Sequence, residues 1–164
     1  GTDTSSTREV NNILRGNTIF SNNGLGIDLG SDGVTVNDPG DSDDGPNDLQ
    51  NHPVLTTAKS NPSQFTIEGS LHSTPNTTFW IDFYACNACD GSGYGEGEAY
   101  LGSLNITTAA NGSVNFSATL VKPPNAGSQI TATASGADKG STSEFSQCIT
   151  AEAFFSIYLP ILLQ

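Results

Sequence analysis

DGVTVNDPGDSDDGPNDLQ, residues 32–50, decides how the rest of the chain divides. It gathers Asp32, Asp38, Asp41, Asp43, Asp44 and Asp48 among Pro39, Gly40, Gly45 and Pro46, with almost no apolar content. Six carboxylates in a turn-rich segment form neither a helix nor a core strand, and a hard divalent cation relieves their repulsion most simply. The expected ligands are a subset of Asp38, Asp41, Asp43, Asp44, Asn47 and Asp48, because calcium takes six to eight oxygens from flexible loops. The spacing is not that of an EF-hand: no Glu closes the loop and no helices flank it. A solvated loop capped by Asx turns is the plainer alternative.

Upstream, EVNNILRGNTIFSNNGLGIDLG at residues 9–30 alternates short apolar pieces with Asn-rich and Gly-rich corners. That pattern predicts a coil of a parallel β-helix within residues 1–31, turning on Asn or Gly in left-handed backbone conformations. One or two coils leave an apolar end uncovered, since a stable solenoid stacks about three or more repeats. Gly24, Gly26 and Gly30 are read as corner glycines rather than a nucleotide loop, which lacks here its helix and Lys-Ser/Thr pair.

Downstream, strand-like segments at about 64–71, 78–85, 99–107, 113–120, 129–135 and 144–150 are separated by turn residues such as Asp90–Gly93 and Ala110–Gly112. Their spacing predicts an immunoglobulin-like antiparallel β-sandwich over residues 53–150. Alternation places Phe65, Ile67, Leu71, Phe79, Ile81, Phe83, Phe116, Ile130 and Phe145 in its core and turns Trp80 outward. The fold class is therefore all-β: a short β-helix-like coil, an acidic loop at 32–52, the sandwich, and an extended apolar segment at 151–164.

That last segment carries Phe154, Phe155, Ile157, Tyr158, Leu159, Ile161, Leu162 and Leu163, yet is too short to span a bilayer. Pro160 rules out a central helix or a fully paired strand, so an extended segment is expected that folds back or adds to a neighbouring molecule.

Five basic residues face seventeen acids, a net charge of −12, which argues against nucleic acid or an anionic membrane as partner and favours cations. Richness in Gly, Ser, Thr and Asn fits an exported protein. Residues 1–12 carry no signal-peptide pattern, so Gly1 reads as a processed or excised start. Cys86, Cys89 and Cys148 allow one disulfide and one leftover thiol, and spacing does not decide the pair.

NNILRGNTIFSNNGLGIDLG followed by NDPGDSDDGPNDLQNHPVL, CDGSGYGEGEAYLGS and SEFSQC resembles a module that ends right-handed parallel β-helix regions in large bacterial secreted and surface proteins. The resemblance covers about residues 9–150. It implies a last coil, an acidic loop and a sandwich closed by Cys89 and Cys148, with no catalytic activity. Cys86 departs from the family's single cysteine in that motif and leaves a Cys86–Cys89 bridge open. YLPILLQ also looks like a short carboxy-terminal motif of exported proteins in some bacterial lineages.

Other chemistries are poorly supplied. A redox or zinc reading of residues 86–89 lacks a βαβ setting or a second ligand pair. Glu96 and Glu98 alternate with glycines in one turn instead of converging from separate strands as glycosidase carboxylates do. His52 and His72 have no nucleophile elbow nearby. Sequons at Asn76, Asn105, Asn111 and Asn115 are possible glycan sites that a Ser/Thr/Asn-rich composition also produces by chance.

The reading is a non-enzymatic, extracellular bacterial surface protein that assembles head to tail with itself. The tail supplies an added strand and calcium braces the joint between coil and sandwich. Its rivals are the terminal module of a larger β-helix protein and a polysaccharide-binding module using Trp80, Tyr84, Tyr94 and Tyr100.

Overall fold

The structure is a computed structural model that describes residues 9–60, 64–121, 127–138 and 140–153. Alternating apolar and polar residues draw the chain into two packed sheets, a β-sandwich. The strands are β1 (Val54–Ser60), β2 (Phe65–His72), β3 (Thr78–Cys86), β4 (Ala99–Thr107), β5 (Ser113–Leu120), β6 (Gln129–Gly136), β7 (Ile149–Thr150) and β8 (Glu152–Ala153). One sheet runs β5-β2-β1-β8 and the other β4-β3-β6-β7. All pairs are antiparallel except β1 with β8.

The core lies between the sheets, where Phe65, Ile67, Leu71, Phe79, Ile81, Phe83, Phe116 and Ile130 pack as the alternation predicts. Gly69 sits where no side chain fits: a Cβ would stand 2.5 Å from the Val54 carbonyl and 2.8 Å from the Phe116 ring. Five of the six predicted strands match within a residue or two. The stretch at 144–150 is a strand only at Ile149–Thr150. Ahead of it, the Ser143 and Ser146 hydroxyls, rather than carbonyls, accept from the amides of Ala134 and Ala132, which interrupts a regular ladder. β1 was not separated from its flanks by the pattern, because the irregularity between Leu55 and Thr57 breaks its alternation.

The predicted coil differs most. Residues 9–31 form no ladder; they run over the outer face of the second sheet, joined to it by one bridge, Ile19 to Gly97. This stretch has no neighbouring coil to pair with, so its amides take partners from the acidic loop and the sandwich instead. Asn12, Leu14 and Gly16 donate to Asn47 Oδ1, Thr142 Oγ1 and the Tyr84 hydroxyl at 2.9, 2.9 and 3.0 Å. The left-handed corners are present at Asn11, Gly16 and Ser21.

This layer makes β3 buried on both faces. Tyr84 joins Ile27, Leu29 and Phe145 in a second cluster, so Phe145 packs there and not between the sheets. Arg15 crosses β3 with its guanidinium 4.4 Å over the Trp80 ring and two 2.8 Å hydrogen bonds to Asp82. Buried Glu144 accepts from Leu29 N, Thr35 N and the Thr35 hydroxyl at 2.8, 2.9 and 3.0 Å, tying the chain's return to the same face.

Candidate metal centre

The acidic loop is built on left-handed turns at Gly40 and Asp41, followed by a turn at Pro46–Leu49 in which Asn47, Asp48 and Leu49 also take positive φ. Asp and Asn tolerate that region best among residues with side chains. Two asparagines fasten the loop. Asn51 accepts from Asp38 N at 2.9 Å and donates to the Asp38 and His72 carbonyls at 2.7 and 2.8 Å, which fixes the loop to the end of β2. Asn47 accepts from Asn12 N and donates to the carbonyls of Asn12 and Thr142, fixing it to the N-terminal layer.

Asp38, Asp41 and Asp43 converge: one oxygen from each lies within 4.8 Å of the others. Asp38 Oδ2 accepts from the amide and hydroxyl of Ser42 at 3.0 and 2.8 Å. Asp41 accepts from Asn51 N at 2.7 Å and the Ser73 hydroxyl at 2.6 Å. Two further oxygens, Oδ1 of Asp38 and Oδ1 of Asp43, are buried and have no hydrogen-bond partner. Among the described residues no Lys or Arg pairs with any of the three. Buried, unpartnered carboxylate oxygens carry a large desolvation cost that a cation between them removes.

The electrostatics follow that strain. Burial pushes the Asp41 carboxyl up, against its bonds to Ser73 and Asn51, and the charges of Asp38 and Asp43 add to the rise. Burial and then the Asp38 charge push Asp43 up. For Asp38, burial acts upward, but the Ser42 hydrogen bonds outweigh it and hold the group low. The donor set is all oxygen and anionic, which suits a hard divalent ion completed by water or backbone oxygens.

The cluster therefore holds three of the six predicted ligands. Asn47 is buried and spends its amide on Asn12 and Thr142. Asp48 accepts from the Ser141 hydroxyl at 3.3 Å, and Asp44 stands close enough for its charge to act on Asp43. Asn51 and Ser73, which position the cluster, carried no sequence signal beyond the Asn that follows the loop.

Cys89 and Cys148 form the disulfide. Cys86 is a buried free thiol, its pKa raised by burial first. Asn76, Asn105, Asn111 and Asn115 are all exposed. Glu96 accepts from the amides of Ser21 and Asn22, and Glu98 from Asn87, so both acids staple loops. The aromatics proposed for sugar stacking are engaged within the protein: Trp80 under Arg15, Tyr94 edge-on to His52, and Tyr84 between Tyr100 and Phe145. Phe154, Phe155, Ile157, Tyr158, Leu159, Ile161 and Leu162 lie outside the described residues. Among those that are described, no helix is long and apolar enough to cross a membrane. A scan against protein-family models returns no match to the chain, and a search of curated proteins returns none either.

Proposed function

We propose that the chain is a non-enzymatic structural protein of the bacterial cell surface, an immunoglobulin-like sandwich that joins head to tail with copies of itself and is braced by calcium. The observation that supports this reading is that the acidic loop and Ala153, the last described residue before the apolar segment, lie at opposite ends of the sandwich. Asn51 holds the acidic loop at His72, the last residue of β2. Ala153 pairs with Ser60, which pairs with Phe65, the first residue of β2. At ~3.3 Å per residue the two ends are about 23 Å apart along the strand. Ala153 thus lies at the pole opposite the loop, a polarity that suits an open, non-closing contact.

Calcium at Asp38, Asp41 and Asp43 would neutralise the loop while Asn47 and Asn51 tie it to both layers, so the ion acts as a brace. Electron microscopy of the purified protein with and without chelator, beside a chain lacking residues 153–164, tests the reading. Filaments that survive the deletion would show that the apolar segment is not the connector.

A second reading, the terminal module of a larger secreted β-helix protein, is favoured by the exposed apolar side chains of Ile13, Leu14 and Phe20 on the N-terminal layer. Peptides from upstream of Gly1 in the mature protein would support it.

A further inference from the structure

The terminal strands of the two sheets are unequally protected. A bare strand edge is a template for pairing, and proteins blunt it with very short strands, lysines, prolines or irregularities. β7 and β8 are two residues each. β4 carries Gly102 at φ 148, opposite the register shift between Phe83 and Tyr84 of β3. β5 has none of these devices. It ends the sheet β5-β2-β1-β8, is eight residues long and keeps unbroken register with β2, from Leu120 opposite Phe65 to Ser113 opposite His72. Its sequence, SVNFSATL, holds no charge, Gly or Pro.

Charge singles out the same side of the sandwich. Residues 99–121, which span β4, the connecting turn and β5, form the longest uncharged run in a chain of net charge −12. Copies of so acidic a protein repel one another over most of their surface and least through this side. Glu68 stands opposite Ser117 on the neighbouring strand, but it accepts from the Thr57 hydroxyl at 3.0 Å, which draws its carboxylate toward β1 and away from the edge. β4 borders the same side: a Cβ at Gly102 would stand 2.9 Å from Leu120.

The strand also matches itself. Phe116, Ala118 and Leu120 face the core, while Asn115, Ser117 and Thr119 are exposed. Two copies set antiparallel about a two-fold axis normal to the sheet keep the apolar residues on one face and the hydroxyls and amides on the other. Such an isologous contact needs no second surface.

We infer that β5 is a self-association edge, pairing antiparallel with β5 of a second copy so that the two four-stranded sheets become one continuous sheet. The contact uses none of residues 154–164. It is separate from the head-to-tail joint proposed above and, in a filament, joins chains side by side.

Cross-linking of the full-length chain tests the edge. Positions 56 and 117 line one groove on the outer face of this sheet, 56 on β1 and 117 on β5, and both side chains are exposed. In the paired form position 117 lies opposite or diagonal to its copy, within about 8 Å. Position 56 lies five strand spacings from its own, at least about 24 Å. In a C86S background, a short bis-maleimide should join S117C chains into a species of twice the 17.0 kDa chain mass on denaturing gels and leave T56C chains single. N115K with T119K, both at exposed positions, set lysines on either side of the probe and should cut the S117C yield at least tenfold, with the urea midpoint within error of the parent. No cross-linked species from S117C, equal yields from S117C and T56C, or a yield untouched by the lysines each overturns the inference. Filaments by electron microscopy without the cross-link leave the proposed function standing and remove the β5 contact. The cross-link without filaments does the reverse.

Discussion

Arg15 meets Asp82 in a fork of two 2.8 Å hydrogen bonds, and the Asp82 side chain it covers is only 1 % exposed. This pair fastens the N-terminal layer to the middle of β3. Truncating the arginine leaves a buried carboxylate with only the 3.4 Å contact from the Tyr100 hydroxyl. Losing one partner of a fully buried pair costs about 3–5 kcal/mol, and partial exposure of Arg15 brings the expected loss for Arg15→Ala to about 2–3 kcal/mol by urea unfolding. Arg15→Lys keeps the charge but not the fork, and its midpoint should fall between the two. A midpoint for Arg15→Ala equal to wild type would show that the pair does not hold the layer.

If the Asp38–Asp41–Asp43 cluster binds calcium as proposed, the ion at about a hundred times its Kd should stabilise the folded state by about 2.7 kcal/mol. For a chain of this size that corresponds to a rise in Tm of about 5–10 °C, reversed by excess chelator. Asp41→Asn should abolish most of the rise. An identical Tm in calcium and in chelator would rule out the site.

His52 supplies a pH dependence. Burial lowers its pKa below the ordinary 6.5, with the Pro53 carbonyl and Glu144 opposing the shift. The unfolded chain therefore takes up a proton at higher pH than the folded one. Its contribution to stability is present above about pH 6.5 and is lost as the pH falls toward the folded value. Between about pH 7.5 and about pH 5, His52→Leu should lose less stability than wild type in urea titrations. Parallel losses would remove His52 from the account.

Removing the Cys89–Cys148 bridge, whose cysteines are 59 residues apart, should cost about 2–4 kcal/mol. Alkylation after unfolding without reductant should label Cys86 alone, and in the native state it should be slow because the thiol is buried with a raised pKa. Label on Cys148 in the unfolded, unreduced protein would overturn the pairing.

The sandwich was legible because its code is local. Alternation in β2, β3 and β5 reports which face is buried, and turn residues mark where each strand ends. The disulfide followed from a resemblance and not from spacing. What the sequence hid was the second use of β3: Asp82 and Tyr84 alternate outward and read as exposed, whereas an irregular segment from far upstream buries them. The acidic loop was visible as charge density, but which of its acids converge was not. Asp38, Asp41 and Asp43 differ from Asp48 only in which way left-handed turns aim them. Asn47 looked like a ligand because its role as a bridge to Asn12 and Thr142 depends on contacts 35 and 95 residues away in sequence.

The bridge between Cys89 and Cys148 also sets how the molecule transmits tension. Glu9 is held near Asn47 at the loop end of the sandwich, and Ala153 leaves at the other. A pull between these points runs along the strands, passes through β1, β2 and β3 to Cys89, and crosses directly to Cys148. Residues 90–147, with β4, β5 and β6, lie outside the covalent path of the force. They can lose their packing under load without lengthening the chain, so the bridge caps how far the molecule can extend when it is pulled from Glu9 and Ala153.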